Sequence, residues 1–251
     1  MLIDTHSHLS FSQYDDDRQA VLDRIRDDLY ALIEVSVNRH TTHQMLNMFP
    51  REQKIYYAVG FHPHYAHEFE PGVVFSYRVL LRGNPRIKAL GEIGLDVQSP
   101  VPMDVQLPVY ERMVRLGREC EMPVVVHNRG CDRDILKPLE ENALETVVFH
   151  CYSSDRTFME TVTGRGWHVS FAGNITFKNA HQLREAATHA PLGSILVETD
   201  CPYLAPQRIR GQRNDPTGVR DVIAEIARLK NMPVDELEEI VLENAKKVFD
   251  I

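Results

Sequence analysis

The sequence predicts an α/β protein of the (β/α)8 class, a single TIM-type barrel over residues 1–251. Three observations predict it: eight short apolar runs recur along the chain, charged segments with helical periodicity separate them, and the residues closing the runs are types that carry chemistry. No Ser/Gly tract, Pro-rich stretch or fixed-period repeat marks a second domain. With 251 residues, 43% of them hydrophobic, the chain is long enough to bury one sizeable core.

The runs are Leu2–His6, Ala31–Val37, Ile55–His62, Ile87–Gly94, Pro123–His127, Thr146–Cys151, His168–Gly173 and Ile195–Asp200. They are rich in Val and Ile and nearly continuous in apolar residues, the pattern of parallel strands buried on both faces. The segments between them read as helices. Asp104–Glu121 places Leu107, Tyr110, Val114, Gly117 and Cys120 on one stripe. Asp215–Lys230 does so with Val219, Val222, Ile223, Ile226 and Leu229, and ends in basic residues that suit a helix C-terminus. Pro233–Phe249 opens on acidic residues and carries a third stripe.

Strands alternating with helices make a parallel sheet, either closed or open and doubly wound. An open sheet that binds a dinucleotide wants a Gly-rich turn after its first strand. Here that strand ends in Asp4-Thr5-His6-Ser7-His8, so the closed barrel is favoured. Barrel enzymes carry their reacting groups at the C-terminal ends of the strands. Six of the 12 histidines, namely His6, His8, His62, His64, His127 and His150, lie at run ends.

His6 and His8 stand two apart, so both imidazoles reach the same side of an extended chain. Glu92 sits between glycines inside an apolar strand, where a carboxylate is costly unless paired or bound to a cation. Its two oxygens suit a bridging role. An Arg partner is the plainer alternative. His127 and His150 close adjacent runs and are expected to serve one ion. Asp200 is assigned to metal binding and proton transfer, while Glu198 is read as a buried structural carboxylate. Asp96 is read either as support behind a ligand or as a loop cap. The expected ligand set is therefore His6, His8, Glu92, His127, His150 and Asp200. It suits two divalent cations, Mg2+, Mn2+ or Zn2+, that activate water and stabilise charge on the group attacked. Expected catalytic residues are Asp200, Glu92 and His62, the last to orient substrate or shuttle a proton.

The formal net charge of −8 gives no global attraction to nucleic acid. It argues against a DNA-coating role but not against an enzyme acting on DNA. Cys120, Cys131, Cys151 and Cys201 form no C-x-x-C pair and read as reduced thiols. No run reaches the length of a membrane span, and the polar start does not read as a secretory signal. The expectation is a cytoplasmic protein with no membrane and no obligate protein partner.

The ordered motifs His6-Ser-His8, Gly60-Phe-His62-Pro63, Gly91-Glu92-Ile-Gly-Leu-Asp96, Pro123-Val-Val-Val-His127-Asn-Arg129, Phe149-His150-Cys-Tyr-Ser153, Gly173-Asn-Ile-Thr-Phe-Lys178 and Glu198-Thr-Asp200-Cys-Pro-Tyr-Leu-Ala-Pro206 resemble the TatD family of deoxyribonucleases, part of the amidohydrolase superfamily. The match runs from residue 3 to about 249, and the Glu-Thr-Asp-Cys-Pro-Tyr run is its most specific element. The resemblance implies a nuclease that releases nucleotides from DNA. It implies one metal on His6, His8, Glu92 and Asp200 and a second on Glu92, His127 and His150, with Glu92 where superfamily relatives carry a modified Lys. Two stretches depart from the family pattern: Asp96-Val97-Gln98-Ser99-Pro100 and His127-Asn128-Arg129-Gly130-Cys131. Both are read as mouth loops, which puts substrate preference in question.

A phosphodiester needs positive groups beside the metals. Arg129, Arg210, Arg213 and Asn214 are expected to bind phosphate, and Arg208 to be a solvated surface residue. Phe61 and Tyr203 are candidates to stack a base, though single aromatics near strand ends more often pack. The expected function is a deoxyribonuclease of the 3'-5' exonuclease type with DNA as substrate. The alternative is a hydrolase of a small ester, lactone, amide or phosphotriester on the same metals. A non-catalytic metal-stabilised module is disfavoured by the completeness of the ligand set.

Overall fold

The computed structural model describes residues 1–251. The strands are β1 Leu2–Ser7, β2 Leu29–Val35, β3 Ile55–Val59, β4 Ile87–Asp96, β5 Val124–Arg129, β6 Val147–Phe149, β7 His168–Phe171 and β8 Ile195–Val197. The helices are α1 Arg18–Asp28, α2 Arg39–Met48, α3 Gly72–Gly83, α4 Met103–Cys120, α5 Asp132–Glu141, α6 Arg156–Thr163, α7 His181–His189, α8 Val219–Lys230 and α9 Val234–Phe249. The strands pair in chain order, every pair parallel. The end of β8 returns to β1: the Asp200 N–H donates to His6 O and the His8 N–H to Cys201 O, both at 2.9 Å. The molecule is a single-domain (β/α)8 barrel.

Each expected run contains a strand, and the differences lie at the ends. The third, sixth and eighth strands stop short of their histidine or aspartate, at Val59, Phe149 and Val197. Glu198-Thr199-Asp200 leaves the ladder, and Asp200 takes a positive φ of 53°. Residues that must turn into the mouth cannot keep the straight ladder.

Helix ends follow local chemistry. Asn38 caps α2, accepting from Thr41 N at 3.0 Å, while Thr41 Oγ1 accepts from Asn38 N at 3.1 Å. Asp155 caps α6 by accepting from Phe158 N at 2.8 Å. Such caps satisfy donors that a helix start leaves free.

The core has two parts. A large outer layer lies between the strands and the helices. A smaller inner layer fills the barrel with Ile3, Ala31, Ile33, Val35, Ala58, Ala89, Val125, Val148 and Leu196, closed below by Ala245, Val248 and Phe249 of α9. The two-residue period of a strand then sets the next tier. His127 stands two residues beyond Val125, His150 beyond Val148 and Glu198 beyond Leu196. Apolar side chains thus form the floor on which the polar site rests.

Candidate metal centre

At the C-terminal mouth the structure brings together all six residues expected as ligands. Glu92 is central and buried. Its Oε2 lies 3.5 Å from His6 Nε2, and its Oε1 lies 2.6 Å from His150 Nε2, 2.8 Å from His127 Nδ1 and 3.4 Å from His62 Nε2. Asp200 Oδ1 sits 3.4 Å from His8 Nε2 and 3.8 Å from His6 Nε2. No Arg reaches Glu92; its charge is met by imidazoles.

Two pairs of ring nitrogens face each other: His6 Nε2 and His8 Nε2 at 3.3 Å, and His127 Nδ1 and His150 Nε2 at 3.2 Å. Facing lone pairs at that separation need a positive charge between them, whether a proton or a metal cation. The carboxylates supply the complementary field. Burial pulls the His8 pKa down, but Asp200 overrides it and raises the value to about 9. Burial likewise opposes charge on His127, where Asp96 and Glu92 win, and on His150, where Glu92 and Glu198 win; both rings are raised. Glu92 is held well below the usual carboxylate range against its own burial, chiefly by His150 and His62. His6 goes down, mainly through burial and then through His150. Nitrogen and oxygen donors in this proportion suit borderline divalent cations, so the residues fit a metal centre.

This protonation gives a prediction with a definite sign. His8 in the metal-free protein has its pKa raised above the ordinary 6.5, so its pairing with Asp200 stabilises the fold fully below pH 6.5 and fades as pH rises through about 9. Cation uptake must displace that proton and so runs the other way. Mn2+ affinity is expected to tighten steadily from pH 6.5 to 9 in calorimetric titrations; a flat profile would contradict the assignment of His8.

Residues behind the ligands fix their orientation. His8 Nδ1 is 2.8 Å from Val35 O, and His127 Nε2 is 3.2 Å from Asp96 Oδ2. Asp96 also meets His64 Nε2 at 3.0 Å and accepts from Gln98 N at 2.7 Å, so it both supports a ligand and caps a loop. Deeper carboxylates brace the chain. Asp4 accepts from the N–H groups of His6 and Thr199, and Glu34 accepts from those of Leu9 and Ser10. His62 is buried, and its Nδ1 accepts the His64 N–H at 3.1 Å. That bond places the ring proton of neutral His62 on Nε2. Burial lowers its pKa to about 4.

The centre opens into a cavity of about 530 Å³ whose lining includes His62, Arg129, Asn174 and Tyr203. Arg129 is the only Lys or Arg in that lining. The loop after β8 therefore corrects an expectation. Arg213 is turned to Asp17, at 2.6 Å, and lies over the Tyr14 ring at 4.4 Å. Asn214 is fully buried, and its amide donates to Thr199 O and Tyr203 O. Arg210 stacks on Phe177 at 4.1 Å. None of the three lines the cavity. Their closeness in sequence to Asp200 fixed where they begin, not where they point. Arg208 pairs with Asp221 on the surface. Phe61 is buried against Phe69, whereas Tyr203 is half exposed at the cavity. Sequence reasoning missed Phe11 and Tyr65, which also line the cavity. Phe11 stacks on His8, ring centroids 4.6 Å apart. Its only signal was its place three residues past a ligand. No helix is long and apolar enough to cross a membrane.

Comparison with known proteins places these features. A family model described as TatD-related DNase matches residues 3–250. The chain is 34% identical over 255 residues to an uncharacterized metal-dependent hydrolase of Bacillus subtilis, YabD, covering all of both chains. It is 34% identical over 258 residues to YcfH of Escherichia coli, also named an uncharacterized metal-dependent hydrolase, covering 100% of this chain and 96% of that one. Among solved structures, YJJV, a TatD homolog from Escherichia coli, superposes with a TM-score of 0.93 at 27% identity, covering 100% of this chain and 98% of that one.

Proposed function

The chain belongs to the family of TatD-related DNases and is a metal-dependent hydrolase, and from that premise we propose that it is a phosphodiesterase releasing nucleotides from DNA, of the 3'-5' exonuclease type. The observation that carries this reading is Glu92 set between two pairs of facing imidazoles, below a cavity with a single guanidinium at its lip. His6, His8, Glu92 and Asp200 would hold one divalent cation, and Glu92, His127 and His150 a second. When bound, Mg2+, Mn2+ or Zn2+ supplies Lewis-acid polarisation of a phosphoryl oxygen and lowers the pKa of water.

The side chains do the rest. Asp200 takes the proton of the attacking water and returns it to the departing oxygen. Its carboxylate is ionised for the first of these tasks: burial raises its pKa, but His8 and His6 bring it below the ordinary value. His62, neutral and carrying its proton on Nε2, donates a hydrogen bond to the group being cleaved and does not serve as a base near neutral pH. Phe11, Tyr65 and Tyr203 offer ring faces for a base at the mouth.

Arg129 binds the phosphate as a charged fork. Arg129→Ala is expected to raise KM about tenfold with kcat changed little, as loss of one charge-assisted contact of roughly 1.5 kcal/mol predicts. Steady-state kinetics on a short oligonucleotide check this, and an unchanged KM would remove Arg129 from the substrate. The proposal as a whole is tested with end-labelled single- and double-stranded DNA in Mg2+, Mn2+ or Zn2+, reading product size. Intact DNA under all three would overturn it.

The net charge of −8, which gives no global attraction to a polyanion, favours a second reading, a hydrolase of a small ester, lactone, amide or phosphotriester. Turnover of such a panel with DNA left intact would select it.

A further inference from the structure

His6 and His150 stack face to face, with centroids 4.0 Å apart and planes 13° from parallel. Their Nε2 atoms point at opposite oxygens of Glu92. On the Nδ1 side of His150 lies Glu198. Oε1 of Glu198 is 3.3 Å from His150 Nδ1 and accepts the Cys151 N–H at 2.8 Å. Its Oε2 is buried without a partner, and so is His6 Nδ1. One donor atom from each of His6, His150 and Glu198 falls in a set spanning no more than 4.8 Å.

The other ligand imidazoles show what is missing. His8, His127 and His150 each turn the nitrogen that faces away from the centre toward an oxygen: Val35 O, Asp96 and Glu198. Such an acceptor fixes the tautomer and aims the free lone pair at a metal. For His6 that nitrogen has no acceptor, while Glu198, which has a donor atom within 4.8 Å of one of the ring's nitrogens, keeps one buried oxygen unused. An unpaired buried ring nitrogen and an unpaired buried carboxylate oxygen are each costly, and pairing them removes both costs.

We infer that Glu198 is a positioning residue for both halves of the centre, holding His6 through Oε2 and His150 through Oε1 so that each ring keeps its proton on Nδ1 and presents Nε2 forward. His6 belongs with His8 and Asp200, and His150 with His127, so one carboxylate behind the stack sets the affinity of both cation positions. The inference rests on the assignment of these histidines to the cations and not on DNA as substrate.

The test is Co2+ titration of metal-stripped wild type, Glu198→Gln and Glu198→Ala, read by visible absorption and by metal content. An amide or methyl cannot accept from both rings, so both binding events are expected to weaken about 10–100-fold, with the melting temperature of the metal-free protein little changed. Weakening of only one event, or of neither, overturns the inference, as does loss of metal-free stability with affinity intact. Should the variants fail to fold, histidine 15N spectra of the Zn2+-loaded wild type decide: Nδ1 protonated on both His6 and His150 supports the inference, and an unprotonated His6 Nδ1 overturns it. A wild type that binds no Co2+ or Zn2+ overturns the metal assignment itself, a failure separate from any result on DNA.

Discussion

Glu92→Ala is expected to lower turnover by at least about 10³-fold, a loss of roughly 4 kcal/mol of transition-state stabilisation. The purified variant is also expected to carry less than stoichiometric metal. Both effects have one cause. Glu92 is the only carboxylate within 3.5 Å of imidazoles from both halves of the centre, meeting His6 through one oxygen and His127 and His150 through the other. Without it, those rings face one another with no negative charge between them, and cations bind there only against repulsion. Glu92→Gln is the sharper variant, because it keeps the shape and removes the charge. Metal analysis and turnover should fall together in both variants, while circular dichroism stays that of a folded barrel. Full metal content with full activity in Glu92→Gln would refute the bridging role.

The second large effect falls on the fold. Gly94 pairs with His127 across β4 and β5, at a φ of 155° that side chains rarely adopt. A Cβ at Gly94 would lie 1.9 Å from His127 O and 2.7 Å from His127 C. Both are backbone atoms of a central strand, so no side-chain rotation relieves the clash. Gly94→Ala is expected to cost about 3–5 kcal/mol, the range of a serious core disruption. At roughly 2–4 °C per kcal/mol for a chain of this size, the melting temperature should drop by about 6–20 °C. His127 must move with its strand, so metal affinity should fall as well. Thermal melts with and without Mn2+ measure both, and a wild-type melting curve would contradict the close approach.

The barrel and the cluster of histidines and carboxylates at its mouth were legible in the sequence for a common reason. Buried parallel strands demand continuous apolar runs, and a polar residue at the end of such a run has little reason to be there unless it faces a site. His127 after four apolar positions and His150 after three carry that signal, as does Glu92 between glycines. What lies beyond the strand ends was less legible. Arg213 and Asn214 are near Asp200 in the chain, yet Arg213 finds Asp17 and Asn214 finds buried carbonyls, partners almost two hundred and about a dozen residues away. Loop direction depends on such distant partners, which periodicity does not encode. Glu198 lay between the two cases: its burial could be read from the run around it, but its contact with His150 arises only when β6 and β8 are both in the barrel.

The floor of the barrel carries a consequence for folding. Ala245, Val248 and Phe249 are the last residues to complete the inner layer that begins with Ile3. A chain in which α9 has not yet docked has eight strands but nothing to close them from below, and the apolar interior is open to water. Docking of α9 is therefore the step that seals the interior, and until it docks the inner layer stays wet.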